Sequence, residues 1–489
     1  MEIKAFEGDL EALAVELPED IARAKAYGNL KLANRLIERR LKKDIPQIMR
    51  KRLLLEQEIM GQMEAAYPFD WQSAVKAAQE MFRDFTEEEL QNLLEEGAFE
   101  WIYRNGEIHL KDDFVLNLVK TREDMADRIL QQEVLADKEK NFQMLEAVIK
   151  EMKSHDQVIC RFHIRSTMKI SPAMQRPGKK IQVQLPLPVA GSQIGHVEVI
   201  KAEVSVPGKT ELAEARIQTA PEDCAQRTIC FDAEYQAGME FSVEFRYENV
   251  MKYWNWETAA AEWEKAGHQD GIMCEQEVRE ADLQEQLPHI RFTPYLKALT
   301  AEVIGGENNP VKKAKRIYDY ITSHVMYSFV RPYFTIEQQA TFTGAGLKGD
   351  CGLQALLFIT MCRIAGVPAR WQSGLYTRPQ DVGHHDWAQF YTESGGWRWA
   401  DCSFGGSAYR AGAMERREFY FGNLDPYRLV AASEYQKDFV FSKKYLRHDP
   451  YDNQSGEAEY EDMGLNKTGD FETLHKILSF EMEAADSND

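Results

Sequence analysis

The stretch "GLKGDCGLQALLFITMCRIAGVPAR", Gly346–Arg370, sets a lone cysteine between Asp350 and Gly352, directly before a helical pattern. Leu353, Leu356, Leu357 and Ile364 supply apolar positions at helical spacing, and Gly366 and Pro368 close the run, so a helix is predicted from Gly352 to Ile364. Cys351 then occupies the helix N-terminus, where the macrodipole and unpaired N–H groups favour a thiolate, the form a sulfur nucleophile needs. Cys362, inside the same helix, reads as a small buried hydrophobe. A buried structural thiol is the competing reading of Cys351, and the helix alone does not separate the two.

Three strands are predicted downstream, in "ARWQSGLY", "DWAQFYTE" and "WRWADCSF", the last two joined by a turn at "SGG". His385 stands at the start of the middle strand and Asp401, sixteen residues on, near the end of the third. That spacing leaves room for two short strands and a turn, so the two side chains can meet across an antiparallel hairpin. An imidazole so placed takes the thiol proton, while the carboxylate fixes its tautomer and stabilises the imidazolium. Cys351, His385 and Asp401 are therefore the candidate catalytic residues. A zinc site from Cys351, His384, His385 and Cys402 is a poorer reading, because adjacent strand residues point to opposite faces. No metal or other cofactor is expected.

Taken in order, "GDCG", "GVPAR", "HDW" and "GWRWADCSFGG" resemble the transglutaminase-like superfamily, whose bacterial members carry a G-x-C-G, G-[IV]-P-A-R, H-x-W and G-W-x-x-x-D series. The resemblance covers Pro310 to Gly406. It implies that Cys351 is the nucleophile, His385 the base and Asp401 the orienting carboxylate; His384 does not fill the H-x-W pattern. It implies a papain-like α+β core with the cysteine helix against an antiparallel sheet, and many bacterial members add an N-terminal β domain. The segment before Cys351, "RPYFTIEQQATFTGAGLKGD", has no tryptophan where animal crosslinking members place an oxyanion-binding one. The backbone N–H of Cys351 can supply one oxyanion donor, and a Gln, Tyr or backbone group of that segment is a candidate for the other.

The rest of the chain frames this core. Its 489 residues, 44% hydrophobic, exceed what one core needs and fit two to four domains. With 79 acidic against 59 basic residues the net charge is −20, which argues against nucleic acid or an anionic membrane as partner and for small molecules or proteins; the acyl-transfer chemistry that the resemblance implies calls for a peptide or protein substrate. The opening residues lack an export-signal pattern, and the seven cysteines lack paired C-x-x-C spacing, so a cytoplasmic protein with reduced thiols is expected. Residues 1–155 read as a mostly helical domain. Within it, Leu32, Leu36, Ile37 and Leu41 form one helix face, Thr86 and Glu89 a capping box, and Asn105-Gly106 a hairpin turn. Residues 156–250 alternate apolar and polar as an antiparallel β-sandwich, with Pro186 and Pro188 at an edge or strand end; 251–287 form a connector. The catalytic domain is placed at 288–440, and 441–489 read as an acidic extension with one short helix from Phe471 to Met482.

The fold class expected is thus α+β and multidomain: helical region, β-sandwich and papain-like core. The chemistry expected is acyl transfer from a peptide or amide carbonyl through a thioester, with hydrolysis favoured because water is always present and no amine site or calcium loop is marked. Transglutaminase or glutamine deamidase activity and a non-catalytic protein-binding scaffold are the alternatives. The sequence leaves the oligomeric state open.

Overall fold

A computed structural model describes residues 9–131, 133–209, 211–266 and 278–485, so Cys274 and part of the connector lie outside the described residues. Five helices from Glu19 to Glu95 precede a hairpin of Trp101–Arg104 and Glu107–Leu110. Asn105 and Gly106 both take positive φ, 51° and 85°, the geometry a tight primed turn demands. The helix Leu30–Leu41 begins where Asn29 accepts the Leu32 N–H, and it buries Ala33 and Ile37. Leu32, predicted on the buried stripe, is exposed instead, because Ala33 and Ile37, one turn apart, give the side that meets the neighbouring helices. Thr86 caps its helix by accepting the Glu89 N–H at 3.2 Å. Helix α1, Phe114–Thr121, follows the hairpin.

The β-sandwich forms as the period-two pattern dictates. In β1, Gln157–Ile170, Cys160, Phe162 and Ile164 are buried, while Arg161 and Arg165 reach outward to Glu248 and Glu244 across the strand pair. The other strands of this region are β2 (Lys180–Pro186), β3 (Ile194–Ser205), β4 (Ala215–Thr219), β5 (Thr228–Glu234) and β6 (Glu240–Met251). Pro186 ends β2, as a residue without an N–H must.

The C-terminal region departs from the sequence reading. In place of a helix, Phe471–Ala485 is a fifteen-residue strand, and two short strands, Glu457–Tyr460 and Met463–Leu465, precede it. All three complete the sandwich: Glu457–Tyr460 pairs with β2, and Phe471–Ala485 runs antiparallel to β1 from Phe471↔Ile170 to Ala485↔Gln157. The apolar residues of this segment serve a sheet partner distant in sequence, and that pairing overrides local helical spacing.

The third unit positions the site. Numbering continues through the parallel pair β7 (Met326–Tyr327) and β8 (Lys348–Gly349), then β9 (Ala369–Thr377), β10 (Val382–Thr392), β11 (Gly396–Ala400), β12 (Phe421–Gly422) and β13 (Arg428–Ala432). The last five make an antiparallel sheet in the order β12-β11-β10-β9-β13. Helix α2, Pro310–His324, and helix α3, Cys351–Ile364, lie with it, and every residue of α3 from Gly352 to Arg363 is buried. The third predicted strand stops at Ala400, and helix α4, Cys402–Arg410, starts two residues later. The helical region is fastened to this unit by Asn117 of α1, whose Oδ1 accepts the Phe329 N–H at 2.8 Å. Lys348 and Arg331 both pair with the buried Glu100, and the Arg52 guanidinium reaches Glu337 at 2.7 Å.

Candidate active site

Cys351 is the first residue of α3, and Asp350 is its cap, accepting the Leu353 N–H at 3.2 Å. Tyr333 closes over this terminus: its hydroxyl donates to Asp350 Oδ1 at 2.7 Å and lies 3.3 Å from Asp386 Oδ2. A Cβ on Gly352 would stand 2.2 Å from that hydroxyl and 2.7 Å from Asp386 Oδ2, so the glycine after the cysteine permits the approach.

His385 and Asp401 meet across the hairpin as the spacing predicts, Nε2 to Oδ2 at 2.7 Å, with both side chains nearly solvent-free. Asp401 also caps α4 through the Phe404 N–H at 3.0 Å, and its Oδ2 also meets a buried cation, Arg428 Nη1, at 3.0 Å. Burial works to raise the Asp401 pKa, but His385 and Arg428 outweigh it and hold the carboxyl at about 2. Burial lowers the His385 pKa despite the opposing pull of Asp401, so the imidazole is neutral near pH 7. The Phe404 ring lies 4.6 Å from the imidazole. Trp387, the tryptophan of the H-x-W element, donates to Gln372 Oε1 at 2.7 Å and anchors the strand beneath. Nδ1 of His385 has no protein hydrogen bond among the described residues.

The sulfur has a different partner. Alternation along β10 sends His385 and Asp386 to opposite faces, and the Cys351 thiol donates to Asp386 Oδ2 at 3.5 Å. No Cys351–His385 hydrogen bond occurs among the described residues, so the structure joins His385 to Asp401 and Cys351 to Asp386 as two separate pairs. Asp386 is held in turn by the Gln454 amide, which donates to its Oδ1 at 2.6 Å and to the His385 carbonyl at 3.3 Å. Burial first, then the charges of Asp350 and Asp449, raise the Asp386 pKa. Burial also takes Asp350 up to about 6, against its Tyr333 bond. The thiol follows: burial, Asp386 and Asp350 raise its pKa, while Lys120 pulls the other way. Desolvation and two carboxylates thus oppose the thiolate that the helix terminus alone leads one to expect.

The sequence reading missed Asp386, Gln454 and Arg428, and offered Tyr333 only as the tyrosine of the segment before Cys351. Asp386 carried a signal, since period-two alternation places it on the face His385 leaves. Gln454 and Arg428 carried none, arriving from strands and loops beyond the motif region. Of the other described thiols, Cys362 and Cys402 are buried, and Cys402 directly follows Asp401 in the chain. Among the described residues no group of three or more His, Cys, Asp and Glu could hold a metal ion.

Comparison with known proteins places this arrangement. Residues 297–402 match the family model of the transglutaminase-like superfamily. The match contains Cys351, His385 and Asp401. Two solved structures are similar to the chain at low identity: a presumed cysteine protease from Cytophaga hutchinsonii and the periplasmic domain of TgpA from Pseudomonas aeruginosa. The first is 12% identical, covering 68% of this chain and 92% of its own, with a TM-score of 0.37. The second is 13% identical, covering 56% and 96%, with a TM-score of 0.26. No curated protein matches the chain. The cysteine helix and the His–Asp hairpin lie in one α+β unit, most of which the family model spans, and no described helix is long and apolar enough to cross a membrane.

Proposed function

We propose that the protein is a cysteine acyl-transfer enzyme that cleaves a peptide or amide carbonyl through a thioester on Cys351, most often to water. The observation that carries this reading is the buried 2.7 Å His385–Asp401 pair, set in a transglutaminase-like core that also holds a helix N-terminal cysteine. Asp401, kept ionised by Arg428, fixes the imidazole with Nε2–H toward itself and leaves Nδ1 as the acceptor. The reading requires the Cys351 sulfur to leave Asp386 and come within reach of Nδ1 of His385, to which the thiol gives up its proton. The thiolate attacks the carbonyl, and the amine leaves with the proton from the imidazolium. Water, deprotonated by the same imidazole, then releases the acid and the free thiol. The Cys351 N–H at the helix terminus is a donor for the oxyanion.

A library of peptides and glutamine amides, assayed for released amine, tests the reading. Turnover by wild type that vanishes in Cys351→Ala supports it. Wild-type protein inert toward the whole library points instead to a protein-binding scaffold, and turnover undiminished in Cys351→Ala overturns the mechanism.

A further inference from the structure

Gln454 lies beyond residue 402, where the family match ends, on the loop that leads into Glu457–Tyr460 of the sandwich. It is buried, and no step of the acyl-transfer cycle uses it. Its amide nitrogen donates to Asp386 Oδ1 at 2.6 Å and to the His385 carbonyl at 3.3 Å. A primary amide nitrogen carries two hydrogens, so both acceptors are served at once; the amide oxygen turned that way would face two oxygens. Asp386 is the acceptor of the Cys351 thiol, and His385 is the partner of Asp401. Among the described residues Gln454 is the one side chain that hydrogen-bonds to both.

The loop is itself held on both sides of Gln454. Asn453 donates to the Arg227 carbonyl, just before β5, at 2.7 Å and to the Ala431 carbonyl of β13 at 3.1 Å. Thr473, on the C-terminal strand, donates to the Ser455 carbonyl at 2.5 Å. The amide of Gln454 thus carries the position of the sandwich to β10. Asp386 needs such a donor, because the charges of Asp350, Asp449 and Asp452 bear on it and Tyr333 spends its one hydrogen on Asp350. The thiol, a weak donor, is its other bond, and Lys120 of α1 acts on that thiol in the opposite sense. A buried carboxylate beside like charges keeps its charge and its orientation only through donors. We propose that Gln454 is a positioning residue of the Cys351 site: it presents the Asp386 carboxylate to the thiol, and so lets the sandwich set how readily Cys351 gives up its proton. The inference rests on the acyl-transfer reading for the use made of the thiolate, and on hydrogen-bond geometry for the placement. It extends the site past the transglutaminase-like core into the sandwich.

Gln454→Met keeps the length of the side chain and removes the donor, which tests the proposal without a known substrate. Asp386 Oδ1 then loses its N–H, the carboxyl takes a proton more readily, and its opposition to a thiolate weakens. Iodoacetamide labelling of Cys351, followed by peptide mapping across a pH series, should move to lower pH by about half a unit to one unit, a gain of about threefold to tenfold in rate at a fixed pH on the rising limb. Asp386→Asn should shift the profile the same way, and adding Gln454→Met to it should shift it no further, as expected of two residues acting through one contact. Gln454→Asn, one methylene short of the 2.6 Å bond, should reproduce the shift and stands in if the Met variant does not fold. A profile that stays put or moves upward while Tm falls makes Gln454 a packing residue and overturns the proposal. Additive shifts overturn it too, as does a Cys351 that resists the reagent equally in wild type and variants. A shift in a protein whose wild type turns over no library substrate refutes the enzyme reading and leaves the positioning role standing; turnover with an unmoved profile does the reverse.

Discussion

The division of work between neighbouring residues on β10 is the feature from which the chemistry follows. His385 turns to Asp401 and Asp386 turns to Cys351. Because Asp386 raises the thiol's pKa, Asp386→Asn should move the pH profile of Cys351 alkylation to lower pH; a profile unmoved or moved upward would show that the carboxylate does not hold the proton. Asp401→Asn keeps shape and size but mispresents the imidazole tautomer, so kcat should drop on the order of a thousandfold with little change in Tm. The acid limb of kcat/KM should lie below the ordinary histidine value of 6.5, because burial lowers the His385 pKa and keeps it a base further into acid. A limb at or above 6.5 would mean that another group titrates. The His385–Asp401 contact and the helix-end place of Cys351 were legible in the sequence because motif spacing specifies which residue types share a hairpin and a helix end. The charge state of the thiol was not legible, because it depends on burial and on a carboxylate whose direction only the strand pleat fixes.

Helix α3 carries Cys351, and its own packing dictates how firmly. Leu357 is fully buried in it, so Leu357→Ala should cost about 2–5 kcal/mol in chemical denaturation, far more than Cys351→Ala. Gly352→Ala is a different case, since its methyl would enter the space of Tyr333 and Asp386. We expect it to lower stability by about 1–3 kcal/mol and to cut turnover, and wild-type values of both would mean that Tyr333 does not close over the helix end. At this scale the sequence was clear where apolar period, cap and breaker agreed, as in α3 and the Asn105-Gly106 hairpin. It misled where they did not. "WRWADCSF" reads as one strand, yet Asp401 ends it by capping α4, because a side chain that accepts the Phe404 N–H starts a helix.

The molecule as a whole joins segments far apart in the chain, and this was the least legible level. The last strand, Phe471–Ala485, reads as an acidic extension because its partner, β1, lies some three hundred residues earlier; Phe480 meets Phe162 there at 5.1 Å. Ending the chain at Asp470 should uncover the β1 edge and lower Tm markedly or cause aggregation, and an unaltered Tm would show that the strand is dispensable. The helical region is placed against the core through Glu100, Asn117 and Arg52. All of this serves one claim, that Cys351 forms a covalent acyl intermediate. Intact-mass analysis of protein quenched in acid during turnover of a library substrate tests it most directly. The account predicts an added acyl mass that maps to Cys351, is released by hydroxylamine and is absent in Cys351→Ala. Turnover with no such adduct, or an adduct on another residue, would contradict it.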